Sequence, residues 1–471
     1  MNRQPNLLLI FADQFRGDCL SALGHPAVLT ANLDELAGAG TAFTRAYSTC
    51  PSCVPARRAL LTGLHPATSG LVGMSSGYPI TQPTLPGALR DAGYQTVMIG
   101  RKMHQSPPTA RNGFEQVTLG STSEEDDAYA LALEHQTGSR AAIRDAGISF
   151  NGWTARPWHL DDNLHPTAWV TRECRRFLRT SDDTCPLFLT ASYQAPHPPL
   201  FPPAFYFDRY LRMDLPAPAI GEWAAVPPQP QAVESARVVL KGEALRSAQA
   251  GYFGMINHLD DQLFWLIRDF KARSAAQGRP WVIAFTSDHG EMLGDHYHFR
   301  KCEPYEGSAR VPFLLAASPG MGWRSGGRNA SPVCLEDLFP TLAEAGNAAA
   351  PTGLDGKSLL PILEGRGTRV RDLLHGEHAR QYSQEQANHY LTDGSWKYIW
   401  RPFSGEEQLF HLAEDPHELH DRTRTAPAEV SRLREALIDR LRDRPEGFVC
   451  DGALTPVQET PHYLPDVIRR K

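Results

Sequence analysis

The 471-residue chain lacks any unbroken apolar run of the length a transmembrane helix requires. Its apolar opening, Asn6-Leu7-Leu8-Leu9-Ile10-Phe11-Ala12, is too short for a span and carries no signal-peptide cleavage pattern, so it reads as a first buried strand and a cytoplasmic location is expected. An excess of basic charge is lacking as well. The formal net charge is -6, which leaves no cationic face for a phosphate backbone, so neither nucleic acid nor a membrane is an expected partner. Cysteine is sparse: eight residues (Cys19, Cys50, Cys53, Cys174, Cys185, Cys302, Cys334 and Cys450) in a chain this long make no dense disulfide framework and fit a reducing compartment. Internal repeats are lacking too. What is plentiful is apolar residues, 41% of the chain, enough to bury a large core over two or three domains.

Short β-rich runs alternate with helix-like stretches: after the first strand come Leu33 to Ala39, Thr84 to Ala92 and the strand-like Gln95 to Ile99. Pro186 to Ser192 and Pro280 to Thr286 each pass from a proline into an apolar strand that ends in polar residues. This alternation predicts an α/β sheet, with ligands beyond the carboxyl ends of its strands. A proline-rich passage, Pro196 to Pro230, reads as loop over the sheet, and a helical pattern follows from about Ala244 to Lys271, weakened by Gly251 and Gly254. After the helix-like Val333 to Ala345 the strands become shorter, at Leu373 to His378, Tyr390 to Trp400 and Glu407 to Leu412, before a helical Pro427 to Arg442. We therefore expect a main α/β domain over 1–368, a smaller subdomain over 369–444 and a tail over 445–471. The length and prolines of the tail suggest that it wraps onto the body or a neighbouring subunit, with a homo-oligomer as one outcome.

The most informative segment is Cys50-Pro51-Ser52-Cys53-Val54-Pro55-Ala56-Arg57, continued by Leu61-Thr62-Gly63. Cys50-x-x-Cys53 taken alone would suit a redox pair or half a zinc site, but no second pair at metal spacing occurs. Cys53-x-Pro55-x-Arg57 with the following Leu-Thr-Gly resembles the signature of the sulfatases, enzymes of the alkaline phosphatase-like superfamily. In that signature the cysteine is oxidised after translation to an aldehyde, formylglycine. The resemblance implies a partner, the formylglycine-generating enzyme, and a nucleophile at residue 53 in the form of an aldehyde hydrate. One hydroxyl of a hydrate can attack sulfur, and the other can collapse the adduct and expel sulfate, an exit that serine does not have. A helix beginning near residue 53 would aim N–H groups at an anionic substrate, and Arg57 adds a cationic fork.

Asp13 ends the first strand, and Asp288-His289-Gly290-Glu291 follows the strand Val282 to Ser287, so distant acidic groups can meet at one sheet edge. This is similar to the sulfatase metal site, which implies Asp13, Gln14, Asp288 and His289, with residue 53, as metal ligands. Many family members carry two adjacent aspartates where this chain has Asp13-Gln14. The glutamine still offers a carbonyl oxygen, and His289 softens the site, so Ca2+ is the first choice, with Mn2+ or another divalent ion open. Such an ion would hold a sulfate oxygen and acidify the hydrate.

Gly100-Arg101-Lys102-Met103-His104 resembles the family's Gly-Lys-x-His segment, with Arg101 where glycine usually stands. Ala195-Pro196-His197-Pro198-Pro199 resembles its Pro-His-x-Pro segment, and Lys301 with Tyr305-Glu306 its Lys-x-x-x-Tyr-Glu stretch. The implied catalytic set is Cys53, Arg57, Lys102, His104, His197 and Lys301. Sulfuryl transfer needs cations at the oxygens and one proton donor. Lys102 and Lys301 would supply charge, His197 the leaving-group proton, shared with Lys301, and His104 would orient or deprotonate the hydrate. His25, His65, His135 and His417 read as structural or surface histidines, while His296 and His298 stay open. His159, His165 and Trp169 read as packing beside a helix start, Cys302 as a buried thiol, and Trp396-Lys397-Tyr398 as a strand packed on the main sheet.

The fold implied is a large mixed, mostly parallel sheet between helices, with a C-terminal antiparallel sheet and helix. The reaction implied is hydrolysis of a small-molecule or saccharide sulfate ester through a covalent sulfo-enzyme. A phosphonate monoester hydrolase or phosphodiesterase would share the nucleophile and the Asp-Gln and Asp-His pattern. A catalytically silent binding protein is a third reading. Substrate choice is expected from the loops Gln105 to His165 and Pro198 to Pro228.

Overall fold

The apolar runs become the strands of one eight-stranded sheet in the computed structural model, which describes residues 3–120, 126–140, 142–182 and 184–464. Its strands are β1 (Asn6–Asp13), β2 (Gly40–Phe43), β3 (Gln95–Gly100), β4 (Gln116–Leu119), β5 (Leu187–Pro196), β6 (Trp281–Ser287), β7 (Phe313–Ala317) and β8 (Gly327–Asn329). They lie in the order β4-β3-β5-β1-β6-β7-β2-β8. All neighbours run parallel except β7, which is antiparallel to both β6 and β2. β1 and β5 are buried along their whole length, as strands covered on both faces must be, which explains why they read as continuous apolar runs.

One face of the sheet is covered by α2 (Pro166–Thr180) and α3 (Gly242–Ala276), the other by α1 (Cys53–Thr62) and shorter helices. The glycines that weakened the reading of α3 lie inside it. A Cβ on Gly251 would stand 2.6 Å from that of Ala155 and 2.9 Å from that of Leu200, and one on Gly254 would stand 2.8 Å from Pro202, so close packing of the loops over α3 selects glycine there. The helix expected from Val333 instead begins at Leu338, after a two-residue strand and a 3-10 turn whose Cys334 N–H is held by Asp337.

Leu374–His378, Asn388–Thr392, Trp396–Trp400 and Glu407–His411 form a four-stranded antiparallel sheet, β9 to β12, with α4 (Pro427–Leu441) packed on it. Lys397 ties this sheet to the main body. Its buried ammonium pairs with Glu306 at 2.7 Å and Glu418 at 2.9 Å, so Lys397 anchors the strand by charge, while Trp396 and Tyr398 pack in the cluster under α4 and not on the main sheet. The tail lies on the body: Phe448 packs against Trp400, and the chain then reaches back to pair Leu464 N–H with Gly70 O at 2.7 Å. The tail residues 465–471 lie outside the described residues, as do 121–125 and 141 of the loop Gln105 to His165.

Candidate active site

Asp13 stands at the carboxyl end of β1 and Asp288 just beyond β6, its parallel neighbour, so strand pairing alone brings the two carboxylates to one edge. Both are fully buried. Two buried negative charges need compensation, and Arg57 supplies it from α1: its Nη2 lies 2.8 Å from Asp13 Oδ2 and its Nε 3.0 Å from Asp288 Oδ2. The third nitrogen, Nη1, donates to Lys102 O at 3.2 Å and Ser192 Oγ at 3.4 Å. The fork of Arg57 is thus spent on protein groups, which makes it a strut between carboxylates. Arg101 adds a second cation, with Nε 2.5 Å from Asp13 Oδ2.

Cys53 opens α1, where unpaired N–H groups and the helix dipole favour negative charge. Its sulfur lies 3.0 Å from Lys301 Nζ, 3.2 Å from His289 Nε2 and 3.8 Å from Asp13 Oδ1. Burial and Asp13 push the thiol up, but Lys301 and His289 pull it further down, to about 6. The position therefore stabilises an anion at neutral pH.

The Oδ1 faces of Asp13 and Asp288, the Cys53 sulfur and His289 Nε2 lie within 4.8 Å of one another, a spacing that suits ligands of one ion. His289 Nδ1 donates to Gly290 O at 2.9 Å, leaving the Nε2 lone pair for the site. Gln14 is fixed the same way. Its Nε2 donates to Glu291, which turns Oε1 to within 3.3 Å of Lys301 Nζ. Burial pushes the Asp13 carboxyl up, yet Arg101, His197, Arg57 and Lys301 hold it well below the usual carboxylate range. Asp288 stands above that range because burial and the Asp13 charge outweigh Arg57 and His289. Two carboxylate oxygens, an amide oxygen and an imidazole fit a divalent cation.

Lys301 Nζ also contacts His197 Nε2 at 3.2 Å. His197 Nδ1 donates to Pro198 O at 2.7 Å, so its Nε2 accepts from the lysine. Burial and Lys301 hold the imidazole well below its ordinary value, hence neutral. Burial lowers Lys301, but Cys53 and Asp13 raise it above its ordinary value, hence charged.

The structure thus brings Asp13, Gln14, Cys53, Arg57, His197, Asp288, His289 and Lys301 into mutual contact. Lys102 and His104 stand further out: His104 sits close enough to feel Arg101, Arg57, Asp13 and Lys102, and its buried Nε2 has no hydrogen-bond partner. Sequence reasoning missed Arg101 and Glu291 as members of the site. In the sequence Arg101 stands out as a departure from glycine, and a basic side chain following Gly100 at a strand end is the available signal. Elsewhere His165 caps α2 through Thr167 N–H, and His298 pairs with Glu303 at 3.3 Å, away from the carboxylate pair.

The sulfatase family model matches residues 5–348, nearly three quarters of the chain. The chain belongs to the sulfatase family. A second model, for the C-terminal region of N-sulphoglucosamine sulphohydrolase, matches residues 294–445 of this sulfatase. An arylsulfatase of Clostridium perfringens is 37% identical over 473 residues, covering 95% of this chain and 96% of its own. A choline-sulfatase of Rhizobium meliloti is 29% identical, with 88% and 82% covered. Among solved structures, the phosphonate monoester hydrolase of Agrobacterium radiobacter superposes with a TM-score of 0.77 at 28% identity, covering 93% of this chain and 95% of that one. The large mixed sheet with its C-terminal antiparallel sheet is the sulfatase fold, and the enzyme is a hydrolase of sulfate esters.

Proposed function

We propose that the enzyme hydrolyses sulfate esters of small ring-bearing alcohols through residue 53, after oxidation of Cys53 to formylglycine by a formylglycine-generating enzyme. The observation that carries this reading is the Cys53 sulfur, buried at the start of α1 and held 3.0 Å from Lys301 Nζ and 3.2 Å from His289 Nε2. Asp13, Gln14, Asp288 and His289 would hold a divalent cation, with Ca2+ first because the donors are mostly oxygen and Mn2+ as the alternative. Bound there, the cation supplies Lewis-acid polarisation of a sulfate oxygen and an acidified nucleophile. A proton and a cation compete for His289 Nε2, which links occupancy to pH.

The chain's own residues divide the remaining work. Lys301 is charged beside the anion and donates to His197 Nε2 across 3.2 Å; as the ester bond breaks, this pair, rather than His197 alone, gives one proton to the leaving oxygen and is left neutral. Lys102 and His104 close the site from the β3 end, as cation and orienting base. Arg57 acts by position, fixing both carboxylates. The eight free thiols support a reducing, cytoplasmic compartment, and among the described residues no helix is long and apolar enough to cross a membrane. We read 1–368 as the catalytic domain, 369–444 as the subdomain and 445–471 as a tail that braces the site loops or a homo-oligomer contact.

A second reading, phosphonate monoester hydrolysis, is favoured by Gln14 in place of a second aspartate and by the phosphonate monoester hydrolase among the structural neighbours. The test combines two measurements on protein coexpressed with the modifying enzyme: the mass of the Cys53 peptide, and kcat/KM for an aryl sulfate against a phenylphosphonate monoester. The proposal expects an aldehyde mass, higher kcat/KM for the sulfate and loss of both activities in Cys53→Ala. A thiol mass with full turnover would overturn the nucleophile, and higher kcat/KM for the phosphonate would install the second reading.

A further inference from the structure

Beside the catalytic lysine lies a cavity of about 890 Å³, within the usual range for small-molecule sites. Trp223, Pro228, Arg300, Tyr305, Tyr382 and Gln386 are among the residues that line it. The reacting side chains do not line it, and its link to them runs through the backbone of Lys301. Arg300 precedes Lys301, and Gln386 Nε2 donates to Lys301 O at 3.3 Å. Tyr382 is near enough to Lys301 and Cys53 to feel the charge of both.

Arg300 is the anomaly of this cavity. It is 8% exposed, yet among the described residues no carboxylate lies within ion-pair distance of it. Its Nη2 donates to the backbone oxygen of Glu234, its guanidinium carbon lies 4.2 Å from the Tyr382 ring centre, and its Nε has no partner. The buried Glu291 carboxyl feels the Arg300 charge but is beyond ion-pair distance, and its oxygens accept from Gln14 Nε2 and from the N–H groups of Leu293 and Arg300. The other interior cation of the cavity, Arg401, is matched by Glu303 at 3.2 Å, so no spare acid there serves Arg300. The rim acids Glu234, Glu385 and Glu406 are exposed, where solvent screens them. A buried cation without a counter-ion is costly in the free protein and is repaid by an anionic ligand. The walls suit a ring: Trp223 stacks on Tyr305 at 4.8 Å between centroids, and Tyr382 offers a second, partly exposed face.

We infer that this cavity receives the alcohol half of the substrate, and that Arg300 selects a ring-bearing alcohol carrying a negative charge of its own. The inference rests on the sulfate-ester reading, since the cavity is assigned to the group that sulfate leaves. An aromatic acid and a uronic acid share this chemistry, and the experiment separates them.

Full-length protein is titrated calorimetrically with 4-hydroxyphenylacetate and its amide, and with glucuronate and its amide. We expect one acid to bind about tenfold more tightly than its amide, and the acid that does so identifies the ring. In Arg300→Gln the ratio should fall to about twofold, and Arg300→Lys should recover part of it, with melting curves reporting whether each variant is folded. Equal binding of acid and amide by the wild type would overturn the inference without any variant, as would a ratio unchanged in folded Arg300→Gln. Turnover is read separately, with 4-(carboxymethyl)phenyl sulfate against its carboxamide, whose methylene insulates the leaving group. A preference for the aromatic acid in binding with no hydrolysis of either sulfate would sink the sulfate-ester reading and leave the anion-selective cavity standing. Hydrolysis of both sulfates with no preference in binding or kcat/KM would do the reverse.

Discussion

Replacing Arg57 by methionine isolates the strut on which the carboxylate pair depends. The side chain is fully buried and bridges Asp13 and Asp288 at 2.8 and 3.0 Å, so its loss leaves charge uncompensated at both. The two acids do not suffer equally. Asp13 keeps Arg101 at 2.5 Å, whereas Asp288 Oδ1 retains only neutral donors, chiefly Gln14 N–H at 3.1 Å and His289 N–H at 3.0 Å, beside the His289 imidazole. Breaking a buried pair by removing one partner costs about 3–5 kcal/mol, and the surviving Arg101 contact puts this case near the lower end, about 3 kcal/mol. Unfolding entropy near 2 cal/mol/K per residue amounts to about 1 kcal/mol/K over 471 residues, so the melting temperature should fall by about 3 °C. The assay is thermal unfolding of chelated protein for Arg57→Met, Asp288→Asn and the double variant. Neutralising Asp288 removes the charge that the first substitution orphaned, so the double variant should be about 1–2 kcal/mol more stable than additivity predicts. Additivity within about 0.5 kcal/mol would refute the reasoning, because two groups coupled through one ion pair cannot be independent.

Further outcomes follow from the same geometry. Calcium at about 100 times its dissociation constant should stabilise the chelated protein by about 2.7 kcal/mol, and a calcium-induced shift that persisted in Asp288→Asn would place the ion elsewhere. Glu377 is held at about 2: burial pushes it up, but Arg444, bound through both nitrogens at 3.0 and 2.8 Å, and His389 pull it further down. A depressed acid stabilises the fold above its unfolded value of 4.5, so about 3 kcal/mol should disappear as pH falls from 4.5 towards 2. Urea titrations should show the gap between wild type and Glu377→Gln closing over that window, and a constant gap would disprove the pairing. Truncation after Glu459 removes the Leu464 to Gly70 hydrogen bond and the Tyr463 ring stacked at 3.8 Å on Tyr78. Amide exchange in residues 70–78 should then accelerate, while unchanged protection would show that the tail does not brace that loop.

Much of this protein is legible in its sequence, for local reasons. A proline followed by apolar residues marks strands buried on both faces, as at Pro186 and Pro280, and a strand that ends in Asp13 or leads into Asp288 announces the edge where a parallel sheet binds ligands. Cys53-x-Pro55-x-Arg57 marks a helix start because capping and backbone geometry reach only a few residues. Residue type and short spacing sufficed for these.

Other features depend on contacts between segments far apart in the chain, and no local pattern encodes them. Arg101 belongs to the site only because β3 and β1 flank β5, which carries its guanidinium to Asp13. Glu291 acts by turning the Gln14 amide across 277 positions of sequence. Residue type shows Arg57 as a cationic fork, but only the fold shows that burial and two carboxylates commit its nitrogens to the protein. The Arg300 cavity was invisible because a cation without a counter-ion is defined by what its neighbours are doing, and Glu291 and Glu303 are otherwise engaged. The chain's own text determined the strands, the start of α1 at Cys53 and the sulfatase family. Tertiary structure decided which charges are paired and which remain for a substrate, because ion pairing in a buried site depends on distance in space and on desolvation.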